Sequence, residues 1–261
     1  MKPISQLSSA QAKRLRGVAF DLDDTLLDHG RLGEAAYSSL FRLLEAGLEL
    51  YGVTGRPAGW AELLARLFPV RAVVAENGAL FCARRGDRVV LVDSVDAATR
   101  RERDARLTLL VADFRQRFPD FELADDVRAR VSDRTFDIGE HRQVGARRVQ
   151  EASAFLGAQG ARVFVSSVHL HATFDYADKA SAAVRLLADE SGLDATAVRH
   201  AYAYLGDSEN DASCFAAFAV SIGVANLRGR ATLRPRYVTS KPMGQGVAEA
   251  AAVILSLRRE L

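Results

Sequence analysis

Three carboxylates occupy four positions in Val18-Ala19-Phe20-Asp21-Leu22-Asp23-Asp24-Thr25. The apolar run Val18 to Phe20 reads as a buried strand that stops at these acids, so the strand delivers carboxylates to its own carboxyl end. In an open parallel sheet that edge is where ligands bind. Residues two apart on a strand share a face, so Asp21 and Asp23, if still extended, crowd one small site where like charges resist joint ionisation. A positive partner is required. A hard divalent cation such as Mg²⁺, held by one or two carboxylates together with water and substrate phosphate, meets that requirement. For Asp-x-Asp alone, an acidic turn after a strand is the plain alternative. Further along, Gly206-Asp207-Ser208-Glu209-Asn210-Asp211 follows a second apolar run, and Lys179 is one of only four lysines in the chain.

Alternating periodicities predict the elements that position these groups. After the first acidic strand end, Leu32, Ala35, Ala36, Leu40, Leu43 and Leu44 recur at helical spacing and Gly47 supplies a stop. Leu48 to Val53 reads as a strand leading into Thr54-Gly55-Arg56-Pro57, and Pro57 suits the first turn of a helix whose inner face includes Trp60, Leu63, Leu64 and Leu67. A third strand, Arg71 to Ala75, runs into Glu76-Asn77-Gly78-Ala79. Strand and helix in alternation predict an α/β fold with a doubly wound parallel sheet. The pattern breaks at residues 84–176. There a strand at Arg88 to Val92, helices near Ala97 to Phe118 and Val144 to Leu156, and strand-like runs at Arg128 to Ile138, Ala161 to Val168 and Leu170 to Asp175 predict an inserted α+β cap domain. Residues 1–83 and 177–261 form the catalytic core in this reading, with the earlier rhythm resuming at Lys179.

Composition bounds the rest. With 261 residues, 49% of them hydrophobic, the chain buries a sizeable core. The net charge of +2 is dispersed rather than striped, which argues against a nucleic-acid footprint. Cys82 and Cys214 are too few for a disulfide framework or a zinc ribbon and are expected as buried free thiols. The first sixteen residues lack the apolar stretch of a signal peptide and no run is long enough to span a bilayer, so a cytoplasmic location is expected, with no membrane or obligate protein partner indicated.

With the segments placed, the chain resembles the haloacid dehalogenase superfamily phosphohydrolases, in the branch carrying an α/β cap between the second and third motifs. Four motifs match in order. Asp21-x-Asp23-x-Thr25 closes the first strand, Thr54 ends the second, Lys179 opens the helix after the insertion, and Gly206-Asp207-x-x-Asn210-Asp211 ends a late strand. The Glu76-Asn77-Gly78-Ala79 and Gly223-Val224-Ala225-Asn226 stretches also match that branch. The resemblance implies a Rossmann-like core and a phosphatase for a small phosphorylated metabolite, most plausibly a sugar phosphate. It implies Asp21 as nucleophile and Asp23 as general acid and base, with Lys179 and Thr54 completing the catalytic set. It further implies Mg²⁺ held by Asp21, the backbone carbonyl of Asp23 and Asp207, with Asp211 in support. Thr25, Thr54, Gly55, Arg56, Asn77, Asn210 and Lys179 would bind phosphate or substrate.

Within the insertion, His169 and His171 lie two apart on an expected strand and share a face. No third ligand with convincing zinc spacing accompanies them, which leaves substrate contact or a structural role. Arg134 and Arg142 are candidates to meet an anionic or hydroxylated substrate, with solvated arginine as the plain alternative. Two other function classes fit parts of the pattern. A phosphomutase of the phosphomannomutase type uses the same aspartyl phosphate but returns the phosphoryl group. A non-enzymatic phospho-accepting signalling module also combines paired Asp, Thr and Lys on a doubly wound sheet, but the chain length, the insertion and Asp23 argue against it.

Overall fold

The structure, a computed structural model, describes residues 1–166, 168–227 and 231–259. In chain order, β1 (Lys2–Pro3) and α1 (Ser9–Arg14) lead to β2 (Gly17–Phe20). A hairpin of β3 (Leu27–Asp28) and β4 (Arg31–Leu32) precedes α2 (Glu34–Glu45), β5 (Glu49–Val53), α3 (Ala58–Leu67) and β6 (Ala72–Ala75). Next come β7 (Leu80–Arg85), β8 (Arg88–Asp93), α4 (Ala97–Arg117), β9 (Glu122–Leu123), β10 (Asp133–Asp137), α5 (Ala146–Ala158), β11 (Arg162–Val165) and β12 (His169–Thr173). The chain closes with α6 (Lys179–Ser191), α7 (Ala195–Ala201), β13 (Tyr202–Gly206), α8 (Ala212–Ala217), β14 (Val220–Gly223), β15 (Tyr237–Val238) and α9 (Met243–Arg259).

One sheet has the order β1-β15-β14-β13-β2-β5-β6-β7-β8, parallel from β1 through β6 and antiparallel at β7 and β8. Side chains alternate across it, so each strand feeds two cores. Val18, Phe20, Leu50, Val73 and Leu205 pack beneath α1, α2, α3 and α9, while Ala19, Tyr51, Val74 and Tyr204 pack beneath α6, α7 and α8. Helices cover both faces, which is why the parallel strands read as near-continuous apolar runs.

A second sheet, β11-β12-β10-β9, is antiparallel throughout. Its apolar face, with Phe136, Leu170 and Ala172, packs on Leu107, Leu110 and Phe114 of α4 and Val149, Ala152 and Leu156 of α5. Its other face carries Asp133, Thr135, Asp137, His169, His171 and Thr173, all buried. The runs at 161–168 and 170–175 are separate strands paired antiparallel, with Arg162 opposite Thr173.

Three expectations are corrected. The strand at Arg88 to Val92, expected to open the insertion, pairs with β7 and extends the large sheet, so the chain leaves that sheet after Asp93. In α3 the buried face is Ala58, Ala61, Leu64 and Ala65, while Leu63 and Leu67 are exposed; small side chains let the helix settle close to β6 and β7. In α2, Leu44 is exposed and the buried stripe is Ala36, Leu40 and Leu43. Cys82 and Cys214 are buried free thiols as expected. Among the described residues, no helix is long and apolar enough to cross a membrane.

Candidate active site

The centre of the large sheet is β2, flanked by β13 and β5, and all four of its residues are buried. Backbone pairing continues one residue past it, with the Asp21 N–H donating to the Leu205 carbonyl at 2.9 Å. Asp21 therefore emerges at the carboxyl edge with its side chain still enclosed, at 5% exposure. The chain then turns away through Asp24, which adopts φ +52°. Asp23 consequently diverges from Asp21. Its carboxylate is 41% exposed and held by Arg56, whose Nε and Nη2 donate at 2.9–3.1 Å. Asp23 is therefore not part of the buried carboxylate cluster, and its charge is the weakest of those that raise the Asp21 pKa.

The crowding at Asp21 comes from other acids. Carboxylate oxygens of Asp21, Asp207 and Asp211 lie within 4.8 Å of one another, all three residues buried. A helix start supplies their counter-charge. Asp178 caps α6, its carboxylate accepting from Ala180 N and Ser181 N, which fixes Lys179 as the first helical residue. Lys179 Nζ, 2% exposed, donates to Asp21 Oδ1 at 2.9 Å and Asp211 Oδ1 at 3.0 Å. Burial alone would lower the ammonium's pKa, but the two carboxylates outweigh it and hold the pKa above its ordinary value. Burial drives Asp21 well above the carboxylate range against the pull of Lys179, and pushes Asp207 up to about 7 with help from Asp211.

The four acceptor positions of Asp211 are all taken: Oδ1 by Lys179 and by the Tyr204 hydroxyl at 2.6 Å, Oδ2 by the N–H groups of Asp207 and Ser208. Asp211 thus folds the loop around itself, and Gly206 makes room for it, since a Cβ there would stand 2.5 Å from the Asp211 carboxyl. Asp207 is far less engaged: among the described residues it has only long contacts, from Thr25 Oγ1 at 3.5 Å and Asn226 Nδ2 at 3.4 Å. Asp21 and Asp207 are the carboxylates with capacity to spare for a cation.

Loops after β5 and β6 complete the rim. Thr54 is fully buried and its Oγ1 accepts from the Arg56 N–H at 3.0 Å. Gly55 abuts Asn77 Oδ1, which also accepts from Asn210 Nδ2 at 3.1 Å. The expected core residues are therefore brought to one edge of the sheet. Asn226, in a stretch the sequence flagged without assigning a role, belongs with them: its Nδ2 donates to the Asp24 carbonyl at 2.8 Å and its Oδ1 accepts from Met243 N.

The second sheet meets this rim through residues 126–133. Arg130 is buried, donates to Gly55 O at 3.1 Å, and is bonded to Asp126 and Asp133. The ion pairs outweigh burial and keep its guanidinium above its ordinary pKa, and Arg130 in turn holds Asp133 below the ordinary carboxylate value. His171 Nδ1 lies 2.9 Å from Asp133 Oδ2. His169 bonds Glu140 at 2.8 Å and has its pKa lowered by burial. Arg134 is a correction: strand alternation turns it to the helix side, where it pairs with Asp104 of α4. Arg142 is half exposed and paired with Glu122, away from the rim. Sequence reasoning missed Arg130, whose only local signal was an Asp at i−4 and i+3.

The haloacid dehalogenase-like hydrolase family model matches residues 18–102, the stretch holding Asp21, Asp23, Thr54 and Asn77. Over that stretch the chain is similar to this family. The chain is 27% identical over 248 residues to a phosphoglycolate phosphatase of Archaeoglobus fulgidus, covering 93% of this chain and 98% of that one. It is 28% identical over 238 residues to a phosphoglycolate phosphatase of Methanothermobacter thermautotrophicus, covering 90% and 97%. A Thermoplasma acidophilum crystal structure shares its fold at a TM-score of 0.73 and 18% identity, covering 93% of this chain and 99% of that one. The sucrose-phosphatase of Synechocystis, solved with sucrose and phosphate, shares it at 0.64 and 15%, covering 92% and 98%.

Proposed function

We propose that this protein is a Mg²⁺-dependent phosphatase that cleaves a small phosphorylated metabolite through an aspartyl phosphate on Asp21. The observation that carries this reading is the enclosed Asp21 carboxylate, oriented by Lys179 at 2.9 Å on a sheet edge that also gathers Thr54, Asn77 and Asn210. One Asp21 oxygen accepts from Lys179, which leaves the other to attack phosphorus. Asp23, more exposed and held by Arg56, gives a proton to the departing alkoxide and then takes one from the water that cleaves the aspartyl phosphate, releasing inorganic phosphate and regenerating Asp21. Thr54 and Lys179 donate to the phosphoryl oxygens.

A hard dication suits the donor set. Three buried carboxylates face one buried ammonium, and burial, with Asp211 adding to it, pushes the pKa of Asp207 up to about 7, a cost that a bound cation would offset. Asp21 and Asp207, with the Asp23 carbonyl, would hold it, and when bound it supplies positive charge against the phosphoryl oxygens.

Residues from about 94 to 177 act as the cap in this reading, their buried polar face reading the leaving group. Relatives named phosphoglycolate phosphatases, matched over nine-tenths of the chain, support a small carboxylated leaving group ahead of a sugar. The test is phosphate release from phosphoglycolate, sugar phosphates and para-nitrophenyl phosphate, with Mg²⁺ and with chelator. Asp21→Asn should abolish both turnover and covalent phosphorylation, while Asp23→Asn should still accept phosphate from the nitrophenyl ester and release it slowly. Ordinary turnover by Asp21→Asn would overturn the nucleophile assignment. Transfer back to sugar without free phosphate would favour a mutase.

A further inference from the structure

The turn Glu76-Asn77-Gly78 brings Asn77 to the rim, but Glu76 has no part in the chemistry above, and the turn is built at some cost. Three consecutive residues adopt left-handed φ values of +48°, +55° and +108°, and two of them carry side chains that rarely do so. Gly78 is obligatory, because a Cβ there would stand 2.6 Å from the Asp178 carbonyl. The strained turn aims two side chains in different directions. Asn77 faces Gly55 and Asn210 on the phosphate side. Glu76 faces the insertion.

The Glu76 carboxylate is 5% exposed and accepts four hydrogen bonds. Oε1 takes Ala58 N at 3.0 Å, at the start of α3, and Val131 N at 2.9 Å; Oε2 takes Ser132 N at 2.6 Å and Ser132 Oγ at 2.7 Å. All four acceptor positions are filled and, among the described residues, no cation bonds it, so burial, with the Asp133 charge adding to it, raises its pKa against the pull of Ser132 and Val131. Three of the four donors lie 55 or 56 residues away. The segment they belong to carries the groups beside the rim: Arg130 on Gly55 O and Asp133 on His171. Ala129 also touches Gly59 of α3.

We propose that Glu76 is a positioning residue: by holding residues 131 and 132 it sets Arg130, Asp133 and His171 against the Gly55-Arg56 turn, and so governs affinity for the leaving group rather than the phosphoryl chemistry. The inference rests on the reading that the insertion recognises the substrate. A carboxylate is required, since it alone offers acceptors in all four directions. Glutamine would turn an NH₂ toward either the Ser132 N–H and hydroxyl or the Ala58 and Val131 N–H groups.

The test compares the full chain with Glu76→Gln, Ser132→Ala and the double variant. Two readouts need no turnover: hydrogen exchange at the Val131 and Ser132 amides, and the emission of Trp60, the single tryptophan, which stacks under Arg56 at 4.6 Å on α3. Glu76→Gln should speed exchange at both amides at least tenfold and shift Trp60 emission. It should raise KM for phosphoglycolate at least tenfold while kcat on para-nitrophenyl phosphate stays within threefold. Ser132→Ala, which removes only a hydroxyl, should move each readout the same way by less, and the double variant should not add the two effects. Unchanged exchange in both single variants overturns the proposal whatever the substrate is. Faster exchange with equal losses on both esters also overturns it, by reducing Glu76 to a structural staple. If the parent releases phosphate from no ester, the phosphatase reading fails, and the exchange and emission readouts still decide whether Glu76 holds the segment.

Discussion

Replacing Lys179 by methionine should cost more stability than any other single change at the reaction centre. The ammonium is 2% exposed and donates to Asp21 at 2.9 Å and Asp211 at 3.0 Å, with Asp207 close by. Methionine fills nearly the same volume, so packing survives and the charge alone is removed. Breaking a buried pair by deleting one partner leaves uncompensated charge and costs about 3–5 kcal/mol, which at roughly 2–4 °C per kcal/mol for a chain of this size lowers Tm by roughly 6–20 °C. The assay is thermal unfolding at pH 7.5 in chelator, repeated with excess Mg²⁺ and at pH 5. Both the cation and the lower pH should recover part of the deficit, the first by neutralising the carboxylates and the second by protonating them. A variant that melts within about 2 °C of the parent in chelator would show that the three acids are not charged together, and the electrostatic case for the site would fall with it.

Other outcomes follow from single residues. In metal-free protein Asp207 has a folded pKa raised from 3.8 to about 7, so its contribution to stability is fully present below about pH 4 and is lost as pH rises through about 7, by at most about 4 kcal/mol. Subtracting the stability curve of Asp207→Asn in chelator isolates this term, and a difference curve that is flat or of opposite sign would refute it. Tyr51 Oη is buried without a partner among the described residues, so Tyr51→Phe should leave stability unchanged or raise it by up to about 1 kcal/mol in urea unfolding. Gly78→Ala should lose more than about 1 kcal/mol, because its φ of +108° and the nearby Asp178 carbonyl both oppose a side chain; a neutral result would mean the turn relaxes. Arg134→Ala should change kcat/KM for phosphoglycolate and for the nitrophenyl ester by the same small factor, since its guanidinium faces Asp104. A selective loss on phosphoglycolate would return it to the recognition face.

What was legible in the sequence is what local pattern determines. Asp21, Thr54 and Asp207 follow apolar runs directly, and Lys179 follows a capping aspartate, so each announces its own place at a strand or helix end. Long-range partners leave no such trace. Nothing near Glu76 points to Ser132, and nothing near Asp23 points to Arg56, because these contacts depend on how distant loops meet. The errors have physical causes too. Leu63 and Leu67 fit an apolar helical spacing, whereas close helix–sheet approach buries the alanines instead. Arg134 was weighed by charge, whereas the alternation of Asp133, Thr135 and Asp137 against Arg134 and Phe136 already separated the faces. The run Arg88 to Val92 reads as the start of the insertion because a hairpin through Gly86 looks the same whether it ends one unit or begins another.

Arg100 of α4 binds both Asp93, where the chain leaves the large sheet, and Asp175, where it comes back, while Arg162 ties the returning strand at the carbonyls of Asp175 and Ala177. Outbound and inbound chain therefore pass through a single doorway. Every strand of the nine-stranded sheet lies before that doorway or after it. Evolution can thus exchange whatever hangs from the doorway, for a different insert or for a short loop, without re-threading the sheet beneath. The large sheet and the insert are separable parts of one polypeptide, joined where two aspartates share one arginine.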